Sequence, residues 1–187
     1  MKQGKTWIPL LFLLLLLLAL AAGYGPRGQE LEQFLVADVL AADRQSDGQV
    51  ILTLLPQAQQ GETPETYRGQ GSSIEEAVRR LTDQTPLLPI YAQIRFLLIG
   101  DGFTAQEAAE LTSILLQIMD LRLGTTVMQT DGQAAALLTP ELGALLESSR
   151  LRREAQDTPV STAVLLFRQY ACGLPVTLTP IKEVSAS

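Results

Sequence analysis

Asp38, Asp43, Asp101, Glu107 and Asp120 are the residues through which this chain could do acid–base chemistry. Two carboxylates held at the right separation would serve as acid and base in glycoside hydrolysis. Their spacing selects no two of them, and carboxylates are plentiful in a chain with 20 acidic against 14 basic residues and a formal charge of -6. There is no histidine, which excludes His-dependent triads, His metal ligands and imidazole pH switching. The one cysteine, Cys172, allows neither an internal disulfide nor a cysteine zinc cluster, and is expected as a small buried side chain. Gly69, Gly71, Gly100 and Gly102 are not followed by Gly-Lys-Ser or Gly-Lys-Thr, so they make no phosphate loop. A cofactor fingerprint is also absent. The acidic balance repels nucleic acid, and the chemistry on offer is that of a noncatalytic protein without a cofactor or metal.

The elements that position these residues centre on residues 91–130. Ile94, Phe96, Leu97, Leu98 and Ile99 form a short apolar run closed by Gly100-Asp101-Gly102, and Leu123-Gly124-Thr125-Thr126-Val127-Met128 forms a second, stopped at Asp131-Gly132. Residues 104–119 between them are periodic enough for a crossover helix, with Ala108, Leu111, Leu115 and Met119 inward and Gln106, Glu107 and Glu110 outward. Runs that are apolar almost throughout suit strands covered on both faces. Strand, helix and strand in this order predict parallel pairing with a right-handed crossover.

On either side the pattern is shorter and more broken. Residues 34–42 and 50–55 read as strands around a polar turn that begins at Asp43 and ends in Asp47-Gly48, a hairpin signal. Residues 57–65 read as an exposed loop and residues 67–71 as a short edge strand. A helix follows, capped by Ser72 or Ser73, with Glu75 and Glu76 at the positive end of its dipole, Ala77, Val78 and Leu81 inward, and Pro86 and Pro89 ending it. Residues 134–138 form a turn or two of helix. Pro140-Glu141 starts another that runs into Ser148-Ser149-Arg150, where Arg150, Arg152 and Arg153 complement its carboxyl end, a reading preferred over anion binding. Asp157-Thr158-Pro159 opens a last helix through Tyr170, stopped by Gly173, and residues 176–181, with Pro180, form an edge strand or extended tail. The fold class predicted is α/β (α+β): a mixed β-sheet with an N-terminal β-hairpin, a central strand-helix-strand unit and helices packed on the sheet.

Lys2 and Lys5 precede an apolar run over residues 7–22, including an unbroken run of leucine over residues 13–18. This marks residues 1–23 as a signal peptide or an N-terminal membrane anchor, with the remainder outside the cytoplasm. Cleavage and retention both remain open, because the run falls between a signal h-region and a comfortable span of roughly 20 residues. Residues 24–29 are a Gly and Pro spacer, residues 30–181 the folded domain and residues 182–187 a tail.

Glu30-Leu31-Glu32-Gln33-Phe34-Leu35-Val36 and the hairpin over residues 43–50 resemble the opening of the C-subunit family of spore nutrient germinant receptors, specifically its N-terminal domain. Gly71-Ser72-Ser73-Ile74-Glu75-Glu76-Ala77 is similar to that family's Gly-x-Thr-x-x-Glu-Ala segment, and residues 88–101 resemble the apolar strand that follows. Asp120-Leu121-Arg122-Leu123 matches the place of an acidic residue and an arginine before the next strand, and residues 140–149 and 175–181 correspond in order. The resemblance implies a noncatalytic accessory subunit of a germinant-receptor complex, in the bacterial cell or spore inner membrane with its domain on the extracytoplasmic side. Its partners would be the integral-membrane receptor subunits, with membrane contact through the N-terminal segment and no nucleic acid. The alternatives are a repurposed extracytoplasmic binding or scaffold module and, third, an acidic-pair cell-wall hydrolase with two carboxylates in a deep cleft. Gly71 and Glu76 are assigned to the strand-to-helix turn, and Asp120 with Arg122 to a structural ion pair or a partner contact. The chain departs from the family at Ala22-Gly23-Tyr24, where members carry a lipidation cysteine, so anchoring would fall to an uncleaved helix. It departs again at Ala92-Gln93, where many have Gly-His. Family members are also longer, and the resemblance assigns this chain to their first domain.

Overall fold

The structure, a computed structural model, describes residues 34–57, 64–156 and 160–181. The signal or anchor over residues 1–23, the spacer, the tail, most of the loop after residue 57 and Asp157-Thr158-Pro159 lie outside the described residues. Among the described residues no helix is long and apolar enough to cross a membrane.

One mixed sheet organises the domain. β1 (Phe34–Arg44) and β2 (Val50–Pro56) pair antiparallel as the hairpin, and β3 (Tyr67–Gly71) adds antiparallel to β2. On its other side β1 pairs parallel with β5 (Phe96–Ile99), which pairs parallel with β6 (Thr126–Gln129), and β6 with the two-residue β7 (Thr179–Pro180). The spatial order is β3-β2-β1-β5-β6-β7, with the three-residue β4 (Leu88–Ile90) lying parallel to the start of β1. Pro89 fits β4 because β4 pairs with β1 alone among the described strands, and a proline can face away from that ladder.

Four helices complete the described fold: α1 (Ile74–Gln84), α2 (Ala105–Ile118), α3 (Leu142–Ala155) and α4 (Ala163–Ala171). Ser73 caps α1 by accepting a hydrogen bond from the Glu76 N–H, and Thr104 with Glu107 forms a reciprocal capping box on α2. Ala77 and Leu81 of α1, Leu111 and Leu115 of α2, and Ala163 and Leu166 of α4 share one buried cluster with Leu97 and Ile99 of β5. The opposite face of β5, Phe96 and Leu98, packs with Leu142 and Leu146 of α3 and with Ala134 of a 3-10 turn, Ala134–Leu137. The all-apolar β5 is therefore covered from both sides, which is the physical reason it does not alternate.

The central hairpin carries a break in register between Ala37 and Val39. Ala37, Leu40 and Ala42 lie on the α1/α2 face, whereas Val39 and Ala41 lie on the α3 face. A β-bulge at Asp38 shifts the two-residue alternation by one, and this lets a charged residue sit inside a strand buried on both faces.

Several elements differ from the sequence pattern. β1 continues through Asp43, which is 6% exposed, because its carboxylate accepts the Ala134 and Ala135 N–H groups at 2.6 and 2.9 Å. Gly100 makes room for it, since a Cβ there would stand 2.3 Å from Asp43 Oδ1. β6 begins at Thr126, not Leu123, which is exposed in a turn with Gly124. α4 begins at Ala163 because Thr162 is still extended and bridges Thr126. Cys172 is exposed just past the end of α4, so the expectation of a buried thiol does not hold.

Close backbone approach makes Gly69 the most sensitive position in the β3 edge. A Cβ there would fall 2.2 Å from the Ala77 carbonyl and 2.4 Å from the Leu81 backbone nitrogen, atoms that move only with α1. Gly69→Ala is predicted to cost about 3 kcal/mol by separating α1 from the sheet, read as a lowered urea midpoint. Gly48→Ala, at a φ of 85° in the hairpin turn with open space around it, is predicted to cost about 1 kcal/mol.

Candidate functional site

The charged residues that the sequence scatters are gathered by the β1 bulge. Asp38, 13% exposed in its side chain, accepts a two-pronged bond from Arg95, Nε to Oδ1 at 2.6 Å and Nη2 to Oδ2 at 2.9 Å. The Arg95 N–H also donates to the Asp38 carbonyl at 2.9 Å. Gly143, in the first turn of α3, lies directly over the pair, where a Cβ would meet Asp38 Oδ2 at 2.2 Å. One bidentate ion pair thus ties β1 to the approach of β5 and seats α3. Arg95 Nη1 stands 4.0 Å from Glu147 Oε2, and Glu147 accepts from Arg150 at 2.6 Å. Arg150 pairs also with Glu154. The bond from Arg150 holds the Glu147 carboxyl below its usual range, and the bond to Asp38 raises the Arg95 guanidinium further above its own.

This chain of charges borders a depression of about 270 Å³ at the amino ends of β5 and β6, lined among others by Arg95, Arg122, Thr126, Glu147 and Arg150. At the carboxyl ends of β6 and β7, on the same face, lies an apolar groove of about 520 Å³. Leu142, Leu145 and Leu146 of α3 wall it, with Leu137 and Ile181, and Asp131 stands at its edge.

Of the carboxylates considered for acid–base chemistry, Asp38 is spent on Arg95 and Asp43 on backbone N–H groups. Glu107 is spent on Thr104 and Arg44, and Asp101 and Asp120 are exposed. Neither depression is lined by two of them, and no cluster that could hold a metal occurs among the described residues.

Gly71 and Glu76 sit in the β3–α1 turn. The Glu76 carboxylate accepts from the Ser72 N–H at 2.9 Å and its hydroxyl at 2.8 Å and pairs with Arg80. The Ser72 N–H is the leading reason its carboxyl is held low. Gly71 leaves space for this turn, since a Cβ there would lie 2.6 Å from the Ala77 nitrogen. Asp120 and Arg122 lie in the loop before β6, with Asp120 at a φ of 50°, and no ion pair joins them among the described residues. Three strands separate β3 from β6, a distance of roughly 19 Å at ordinary strand spacing, so the two pairs make no common site. Sequence reasoning missed Arg95 and Glu147, and it read Arg150 as a partner of the helix dipole in preference to an anion-binding residue. The available signal was Arg95 itself, a lone charge inside Ile94-Arg95-Phe96.

The chain belongs to the spore germination protein N-terminal domain family, whose model matches residues 27–144, more than half of its length. No curated protein and no solved structure matches it. The match ends inside α3, while α4 and β7 pack on the same sheet.

The charges make two outcomes measurable. Arg95→Ala leaves the Asp38 carboxylate unpaired beneath α3 and is predicted to cost about 2 kcal/mol, the partial exposure of Arg95 moderating the loss. In a urea double-mutant cycle with Asp38→Ala the coupling is predicted at about 1 kcal/mol or more, and strict additivity would contradict the pairing. Glu107 is held at about 2 from an ordinary 4.5, first by the Thr104 N–H and then by Arg44. A depressed carboxyl stabilises the fold above its unfolded value and loses that contribution as pH falls through its folded value. Glu107→Gln is therefore predicted to be about 1 kcal/mol less stable near neutrality, solvent screening limiting the effect. The gap should close between pH 4.5 and about 2, measured by urea denaturation across that range.

Proposed function

We propose that this chain is a noncatalytic accessory subunit of a spore germinant-receptor complex, held at the outer face of the membrane and acting beside integral-membrane receptor subunits in nutrient-triggered germination. Family membership ties it to spore germination, and the single observation that carries the finer reading is the match over residues 27–144. Two features support it. The chain begins with Lys2 and Lys5 before a long apolar run, the pattern that directs a domain across a membrane or anchors it there. Among the described residues, Asp38, Asp43 and Glu107 are used in structural bonds, an arrangement suited to a binding or scaffolding subunit more than to a hydrolase. Gly71 and Glu76 would then serve the turn that seats α1, and Arg122, exposed before β6, would be available to a partner.

The test is a crosslinked pull-down of the tagged native protein from detergent-solubilised spore membranes, with captured proteins identified by mass spectrometry. Recovery of the integral-membrane receptor subunits is the predicted result. Their absence from a preparation in which the bait is well recovered would favour the alternative of a repurposed extracytoplasmic binding module.

A further inference from the structure

We propose that the depression beside Arg122 is a binding site for a small phosphate-type oxyanion. Three guanidinium groups from three separate elements line it: Arg95 ahead of β5, Arg122 in the loop before β6, and Arg150 on α3. Glu147 is the one carboxylate in that lining. It is already engaged, bonded to Arg150 at 2.6 Å and standing 4.0 Å from Arg95. Asp38, which takes the other edge of Arg95, and Glu154, which takes Arg150, are not part of the lining. Arg122 has no ion pair among the described residues.

The concavity therefore holds more guanidinium than carboxylate on a chain whose formal charge is -6, and one of its cations is uncommitted. That is the reverse of what the overall composition would place at an arbitrary surface. Size narrows the ligand. About 270 Å³ is below the range usual for cofactors and drug-sized molecules, but ample for one tetrahedral oxyanion with part of its hydration. Guanidinium forks match such an anion in geometry as well as charge, and several can share it around its oxygens. Arg95 and Arg150 are held in place by their carboxylate partners, so the ordering of those two side chains is complete before the ligand arrives.

The same chemistry could come from a soluble phosphate or from the phosphate of an anionic lipid headgroup. The full-length protein reconstituted in phosphatidylcholine nanodiscs would be titrated with inorganic phosphate at constant ionic strength, with chloride as the control. The readout is the NMR signal of the arginine side-chain Nε–Hε groups. A saturable shift of the Arg122 signal together with Arg95 or Arg150 is expected. Arg122→Gln, an exposed position whose backbone spectrum should be unchanged, is expected to weaken phosphate at least about tenfold. Arg122→Lys should fall between the two. No saturable response, or an equal response in Arg122→Gln, would overturn the proposal. Repeating the titration with phosphatidylglycerol in the nanodiscs separates the sources. An Arg122 signal already displaced and no longer moved by phosphate identifies the lipid headgroup, whereas an unchanged titration identifies soluble phosphate.

Discussion

The bidentate pair between Asp38 and Arg95 is the constraint on which the α3 side of this domain depends. A carboxylate placed within a strand covered on both faces needs a partner, because leaving it unpaired at this partly exposed site would cost about 2 kcal/mol. The bulge in β1 aims Asp38 toward α3, Arg95 reaches it from the approach to β5, and Gly143 lets the helix close over both. The bulge also reverses which residues of β1 face each layer. One local irregularity thereby sets the alternation of the central strand and the seat of the helix that covers it.

α3 in turn supplies a wall to each of two depressions of opposite character. Its first turns present Leu142, Leu145 and Leu146 to the apolar groove at the carboxyl ends of β6 and β7. Further along, Glu147 and Arg150 join Arg95 and Arg122 at the amino ends of β5 and β6. Near the carboxyl end of β1, the Asp43 carboxylate holds the 3-10 turn through two backbone N–H groups. Two aspartates in β1 thus hold the segments on the α3 face by different means, one through a side-chain cation and one through backbone donors. On the α1/α2/α4 face the links are mainly apolar, and the charged groups there, such as Glu76 and Glu107, work at the starts of helices.

The central unit was legible because its pattern is strong and local: an all-apolar β5, a helix with Thr104 and Glu107 as a capping box, and glycine-bounded ends. The mixed sheet and the hairpin were legible for the same reason. What was not legible depended on contacts distant in sequence. Asp43 reads as the polar start of a turn, because nothing nearby reveals that the Ala134 and Ala135 N–H groups, some ninety residues on, satisfy it. β4 is too short, and contains Pro89, so only its pairing with β1 makes it a strand. Gly124 belongs to a turn although its neighbours look like a strand. The candidate charged site shows the same division. Arg122 stood out by its place before a strand, but its company, Arg95 and Arg150, comes from elements whose proximity is a property of the sheet order. The resemblance to the germination family rested on the order of weak segments, and the family match bears it out through residue 144.

The dependence of α3 on the ion pair is tested most directly by native-state hydrogen exchange on the wild-type chain and on Arg95→Met, which keeps much of the arginine's apolar bulk and removes its charge. If the pair seats α3, protection should fall selectively in α3 and in the 3-10 turn, while β2, β3 and α1 exchange as in the wild type. Unchanged protection across α3 would show that apolar contacts hold it alone and would contradict the central role of Asp38 and Arg95.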